Sequence, residues 1–86
     1  MAIIMKAKID YTDNSIGIKK DKTEYMHEEA NESNNFNAGN ALKLRIIEWR
    51  RNNGYTINRV LFHGGPETTW DESNPNIYED SDNFNS

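Results

Sequence analysis

The chain has no cysteine. Disulfide staples, thiolate metal sites and a cysteine nucleophile are therefore excluded together, and a reducing, cytoplasmic setting is the expected one. Long apolar runs are missing as well. The longest, Ala2 to Met5 and Val60 to Phe62, are far too short to cross a bilayer, and no basic-then-apolar leader is visible, so no membrane role is expected. No internal repeat occurs. The Gly64-Gly65 pair lacks the Lys-Ser/Thr and the glycine spacing of a phosphate loop. From residue 63 onward there is neither Lys nor Arg.

What is present fits one core. A chain of 86 residues, 35% hydrophobic, falls within the size of a single domain, and at that size only about 60% of the unfolded surface is buried. The stability margin is expected to be thin, and self-association would help it. The net charge of −4 is strongly segregated. Residues 1–39 carry −2, residues 40–62 carry +4 and residues 63–86 carry −6. The boundaries expected from composition are an α+β domain over 1–70 and an acidic, mobile tail over 71–86.

Alternation at period two predicts a strand over Ile3–Tyr11, with Met5, Ala7, Ile9 and Tyr11 inward and Lys6, Lys8 and Asp10 on a wet face. Turn chemistry at Thr12-Asp13-Asn14-Ser15 and inward Ile16 and Ile18 predict a hairpin whose second strand runs Ser15–Lys19. The polar stretch Lys20–Asn35 reads either as an exposed edge strand, the favoured choice, or as a short helix opened by Thr23. A helix is predicted over Ala38–Asn52, with Asn37 as N-cap and Gly54 as a left-handed stop. Its stripe Ala38, Leu42, Ile46 and Trp49 is one apolar side; Leu44 and Ile47 point roughly 140–160° away beside Arg51. A strand over Ile57–His63 follows, closed by Gly64-Gly65-Pro66.

The fold class is accordingly α+β: a small antiparallel or mixed sheet of three to four strands with one helix on one face, in ββ(β)αβ order, plus the flexible tail. Over residues 3–65, this order, with Ser33-Asn34-Asn35 leading into the helix and Arg59-Val60-Leu61-Phe62 after it, resembles the first half of the ribonuclease H family. That resemblance implies a magnesium site built from a first-strand aspartate, a helix glutamate and a strand-end aspartate. Asp10 matches the first. Ala38 and His63-Gly64 stand at the other two positions, so the resemblance implies a degenerate domain without its two-metal chemistry.

No catalytic constellation, metal site or cofactor motif emerges, and the expected protein is not an enzyme. His27 lies among Glu24, Glu28 and Glu29 and reads as part of a solvated acidic face. His63, at a strand end, reads as bonded to backbone. Three candidate surfaces remain. Glu28, Glu29, Glu32, Asp71, Glu72, Glu79, Asp80 and Asp82 are carboxylates that a protein partner with a basic groove would read as a row of phosphates. Leu44, Ile47, Arg51, Trp70 and Tyr78 are candidates for a partner or homodimer contact, because the second apolar side of the helix needs a cover. Lys43, Arg50, Arg51 and Arg59 form the alternative, a nucleic-acid surface. Small size, abundant Asn and two acidic segments are similar to small phage or mobile-element proteins that disarm host factors. The expected function is therefore a protein-interaction module, an inhibitor or modulator acting through acidic surface.

Overall fold

The computed structural model describes residues 3–14, 17–30 and 35–85. Two 11-residue strands, β1 (Ile3–Asp13) and β2 (Lys20–Ala30), precede the helix α1 (Asn35–Asn53); β3 (Thr56–Gly65) and the short β4 (Tyr78–Glu79) follow it. They form one antiparallel sheet in the order β2-β1-β3-β4, with α1 across one face. No helix among the described residues is long and apolar enough to cross a membrane.

The β1 alternation holds: Ala7, Ile9 and Tyr11 are buried toward α1, with Met5 beside them. Its hairpin partner is the polar segment 20–30, not Ser15–Lys19. Residues 17–19 belong to the connection, and Ser15 and Ile16 lie outside the described residues. Ile18 is exposed there. The register runs from Ile3 opposite Ala30 to Asp13 opposite Lys20. An edge strand buries only one neighbour's width of backbone, which is why β2 forms with Met26 as its one large apolar residue on the helix side. Two main-chain groups of β2 are capped by side chains rather than by another strand: Glu24 accepts the Tyr25 N–H at 3.0 Å, and Arg45 donates to the His27 carbonyl at 2.7 Å.

In β3 the alternation breaks once. Tyr11 faces Ile57 while Asp10 faces Arg59, so Asn58 is the extra residue of a β-bulge. A one-residue slip reverses the faces of a strand, and here it brings both Ile57 and Val60 to the helix side. These two and Phe62 pack against Leu42 and Ile46 of α1; burying a side chain of that kind contributes about 1.5–3 kcal/mol.

The helix is under way by Asn35, before the expected Asn37 cap, whose side chain lies outside the described residues. Its end follows expectation. Gly54 adopts φ 69°, and Tyr55 N–H donates to the Arg50 carbonyl at 3.1 Å, which is the six-to-one closure of a Schellman stop. Tyr55 then joins Trp49 and Tyr11, with ring centroids 4.6–4.8 Å apart, as an aromatic flank of the core.

The packed unit does not stop at Trp70. Residues 71–85, expected as a mobile tail, run along the outer edge of β3. Tyr78 and Glu79 pair with Phe62 and Leu61. Asp80 N–H donates to the Val60 carbonyl at 3.1 Å, and the Ser81 hydroxyl accepts the Val60 N–H at 3.0 Å. The Asn85 amide then imitates a neighbouring strand: its oxygen accepts the Ile57 N–H and its nitrogen donates to the Ile57 carbonyl, both at 2.8 Å. Phe84 drops into the core beside Phe62. Polar side chains that look like solubilising composition complete the main-chain bonding of β3.

Candidate functional site

The sheet face away from α1 carries the even residues of β1 and the odd residues of β2, so His27, Lys6 and His63 lie in one row across three strands. This face is not uniformly wet. Residues 66–77 fold back over it, placing the Trp70 ring 4.5 Å from that of His63 and 6.4 Å from that of Tyr25. Lys6 is left only 5% exposed and His63 1%. Together with Gly65, Pro66, Thr69, Trp70 and Asn74 they surround a cavity of about 340 Å³, with Glu67, Asp71 and Glu72 also lining it.

Each polar group here has a definable state. His63 Nε2 accepts the Asp71 N–H at 3.5 Å, and Nδ1 lies 3.3 Å from the Asn74 amide. A ring accepting at Nε2 carries its proton on Nδ1; the Asn74 amide turns its nitrogen to that side, because its oxygen accepts the Asn76 N–H at 2.8 Å. Burial, and then the Lys6 charge, push the His63 pKa below its ordinary value; the Asp71 carboxylate and the Gly64 backbone oppose this. The Asp71 carboxylate takes both the N–H and the hydroxyl of Ser73, which lowers its pKa. Glu72 is lowered chiefly by its 2.5 Å bond to Lys8. The Trp70 indole N–H is buried with no acceptor within hydrogen-bond distance, yet it is close enough to the Glu72 carboxylate to help lower the pKa of that group. Lys6 makes no hydrogen bond or ion pair among the described residues.

The depressed His63 pKa sets a pH dependence. The neutral ring is favoured in the fold, so its contribution is complete above the unfolded value of 6.5 and is lost as pH falls below it toward the folded value. Urea midpoints are expected to decline over that interval in wild type. His63→Gln removes this component, leaving only the carboxylate-linked loss at lower pH.

The sequence-derived sites are dispersed. Among the acidic candidates, Glu28 pairs with Arg45 at 2.7 Å, Glu72 with Lys8, Glu79 with Arg59 at 2.9 Å, and Asp80 with Lys43. Glu29 and Asp82 are exposed, and Glu32 lies outside the described residues. Two of the four basic candidates, Lys43 and Arg59, are the other halves of these bonds. Lys43 and Arg59 hold the tail; Arg50 donates to the Asn85 side chain and carbonyl at 3.2 and 3.1 Å. The +4 and −6 segments thus close on each other. Of the apolar contact candidates, Ile47 is half-buried against the core, and Tyr78 stacks on Phe62 at 5.8 Å from the edge strand. Arg51 is exposed, as is Leu44 at 63%. The cover that Ile47 requires is supplied within the chain.

Asp10, the carboxylate shared with the ribonuclease H pattern, accepts a hydrogen bond from Thr23 at 3.0 Å and faces Arg59 across the ladder. Ala38 is buried. Among the described residues no cluster of His, Asp or Glu could hold a metal ion. Lys6 was the residue hidden from sequence reasoning, because a lysine alternating with Met5 and Ala7 reads as solvent-facing. The available signal was Trp70, a large aromatic in a Gly/Pro-bounded loop that needs something to cover.

No protein-family model matches the chain, and no curated protein or solved structure matches it either.

Proposed function

We propose that this chain is a non-enzymatic protein-interaction module that engages its partner through the face covered by residues 66–77. The single observation carrying this reading is the internal neutralisation of the basic segment. Lys43, Arg45 and Arg59 are each paired with a carboxylate of the same chain. A surface that binds phosphates by counterion release needs cations free to do so, and these are engaged. The same pairing takes Glu28, Glu79 and Asp80 out of any bare acidic row, and Lys8 takes Glu72. What remains is a mixed face: Tyr25, 53% exposed, beside the half-buried Trp70, with Glu29, Glu67 and Asp71 around them. Aromatic anchors within a polar rim are the composition of protein contact surfaces.

The test is affinity capture from cells expressing the chain, with and without nuclease. One protein is expected to be retained by wild type irrespective of nuclease and lost with Tyr25→Ser combined with Glu67→Gln. Binding that nuclease abolishes, and that Lys43→Gln with Arg50→Gln eliminates, would overturn the reading in favour of nucleic acid.

A further inference from the structure

We propose that the cavity beneath residues 66–77 is a binding site for a carboxylate group on a small planar body, with the Lys6 ammonium as its charge partner and the Trp70 indole N–H as a second donor. This goes beyond the protein-contact reading and does not depend on it.

Two observations converge. Lys6 lies on β1, an inner strand of the described sheet, is 5% exposed, and makes no hydrogen bond or ion pair among the described residues. The Asp71 carboxylate feels its charge without forming an ion pair; a buried ammonium with no hydrogen-bonding partner is costly, and proteins that keep one either pair it or bring a ligand to it. The Trp70 Nε1, on the wall of the same cavity, is a buried donor with no acceptor. Neither group has an acceptor within hydrogen-bond distance and both donate, so a group bound between them would accept.

Its charge is limited by the neighbours. His63 is held toward the neutral form, and of the three carboxylates lining the cavity Glu72 is bonded to Lys8 and Asp71 to Ser73, while Glu67 is exposed. One cation and one neutral N–H surrounded by further negative charge suit a monoanion; a phosphate dianion would meet too little positive charge and too many carboxylates. A volume of about 340 Å³ is at the small end for ligand pockets. The His63 and Trp70 rings, 4.5 Å apart and inclined at 50°, offer a flat ligand two aromatic surfaces.

The experiment titrates benzoate into the full-length ¹⁵N-labelled protein, following the Trp70 indole N–H resonance, with benzamide and inorganic phosphate as parallel arms. Benzoate is expected to shift that resonance saturably, with a dissociation constant at or below about 1 mM, and to raise the melting temperature with concentration. Benzamide, the same shape without charge, and phosphate are expected to leave it unmoved. Lys6→Met keeps the length of the side chain and removes the charge; it is expected to fold at least as stably as wild type and to weaken benzoate by about tenfold or more. Trp70→Phe, followed through the Lys6 and Gly65 amides, is expected to weaken it by a smaller factor. Absence of saturation, equal binding of benzamide, tighter binding of phosphate, or unchanged affinity in a folded Lys6→Met protein would each overturn the site. Failure of partner capture with benzoate still bound would sink the protein-contact reading alone.

Discussion

Ending the chain after Trp70 is expected to cost most of its stability, although the segment removed is the one whose composition most suggests dispensability. Phe84 is 2% exposed within the core cluster, and truncating a buried Phe to Ala typically costs about 3–5 kcal/mol. The truncation goes further. It strips the Asp80, Ser81 and Asn85 bonds from Val60 and Ile57, and with Glu72 and Asn74 the contacts that hold the cover on Lys6 and His63. A small domain has a total of only about 5–15 kcal/mol to lose. Circular dichroism at 37 °C is expected to show a largely unfolded truncated chain, and Phe84→Ala a folded one with a urea midpoint well below wild type. A truncated chain melting with wild type would mean that residues 71–85 are an appendage after all. Because of this cost, point substitutions rather than deletion are the right probes of the surface.

Legibility in the sequence followed which physics each element obeys. β1 and α1 bury regular apolar patterns whose periods of 2 and 3.6 announce them, and β3 is announced by its apolar run beyond the bulge. The stop at Gly54 was equally legible, since a left-handed residue after the last helical turn calls for glycine. The hairpin was placed one segment too early. Ile16 and Ile18 look like inward residues of a strand, but Ile18 is exposed in the connection, and it is the polar Lys20–Ala30 that pairs with β1. An edge strand with half-buried Glu24, Met26 and Glu28 has no apolar alternation to detect. The Asn58 bulge is likewise silent, because an extra residue breaks the very period by which a strand is read.

The packing of residues 71–85 is hard to read from the sequence for a different reason. Composition treats Asn, Ser and Asp as residues with nothing to bury, whereas here their side chains bond to main chain, as Asn85 does with both polar groups of Ile57. The arrangement of the charged candidates is equally hard to read. Charge segregation along the sequence suggested an acidic surface and a basic one; in three dimensions the segments are adjacent, and Lys43–Asp80 and Arg59–Glu79 cancel much of both. Exposed pairs of this kind contribute little stability each. Their effect is on which charges remain uncompensated at the surface. The Lys6–His63–Trp70 cavity depends on three strands and a loop meeting, and no local pattern encodes that.

Phe62→Ala is expected to destabilise by about 3–5 kcal/mol, and its coupling to the tail decides whether sheet, helix and tail share one core. Phe62 is 1% exposed. Its ring stacks on Tyr78 at 5.8 Å and Phe84 at 6.4 Å, while the Lys43 ammonium lies 5.9 Å from its centre. One side chain of β3 thus touches β4, the segment after it, and α1. If those contacts form a single packed unit, Phe62→Ala and Phe84→Ala remove parts of the same interface, and the double variant loses less than the two single losses added together. A coupling of about 0.5–3 kcal/mol is the range for residues in direct contact. Urea unfolding of wild type, both singles and the double measures it. Phe62→Leu serves as the control, because it retains apolar volume and is expected to cost much less than the alanine variant. Additive losses would place Phe84 on a surface that merely leans on the sheet. A coupling in the expected range means that the acidic segment is the last layer of the core, and that its carboxylates are held where the packing of Phe84 and Tyr78 puts them.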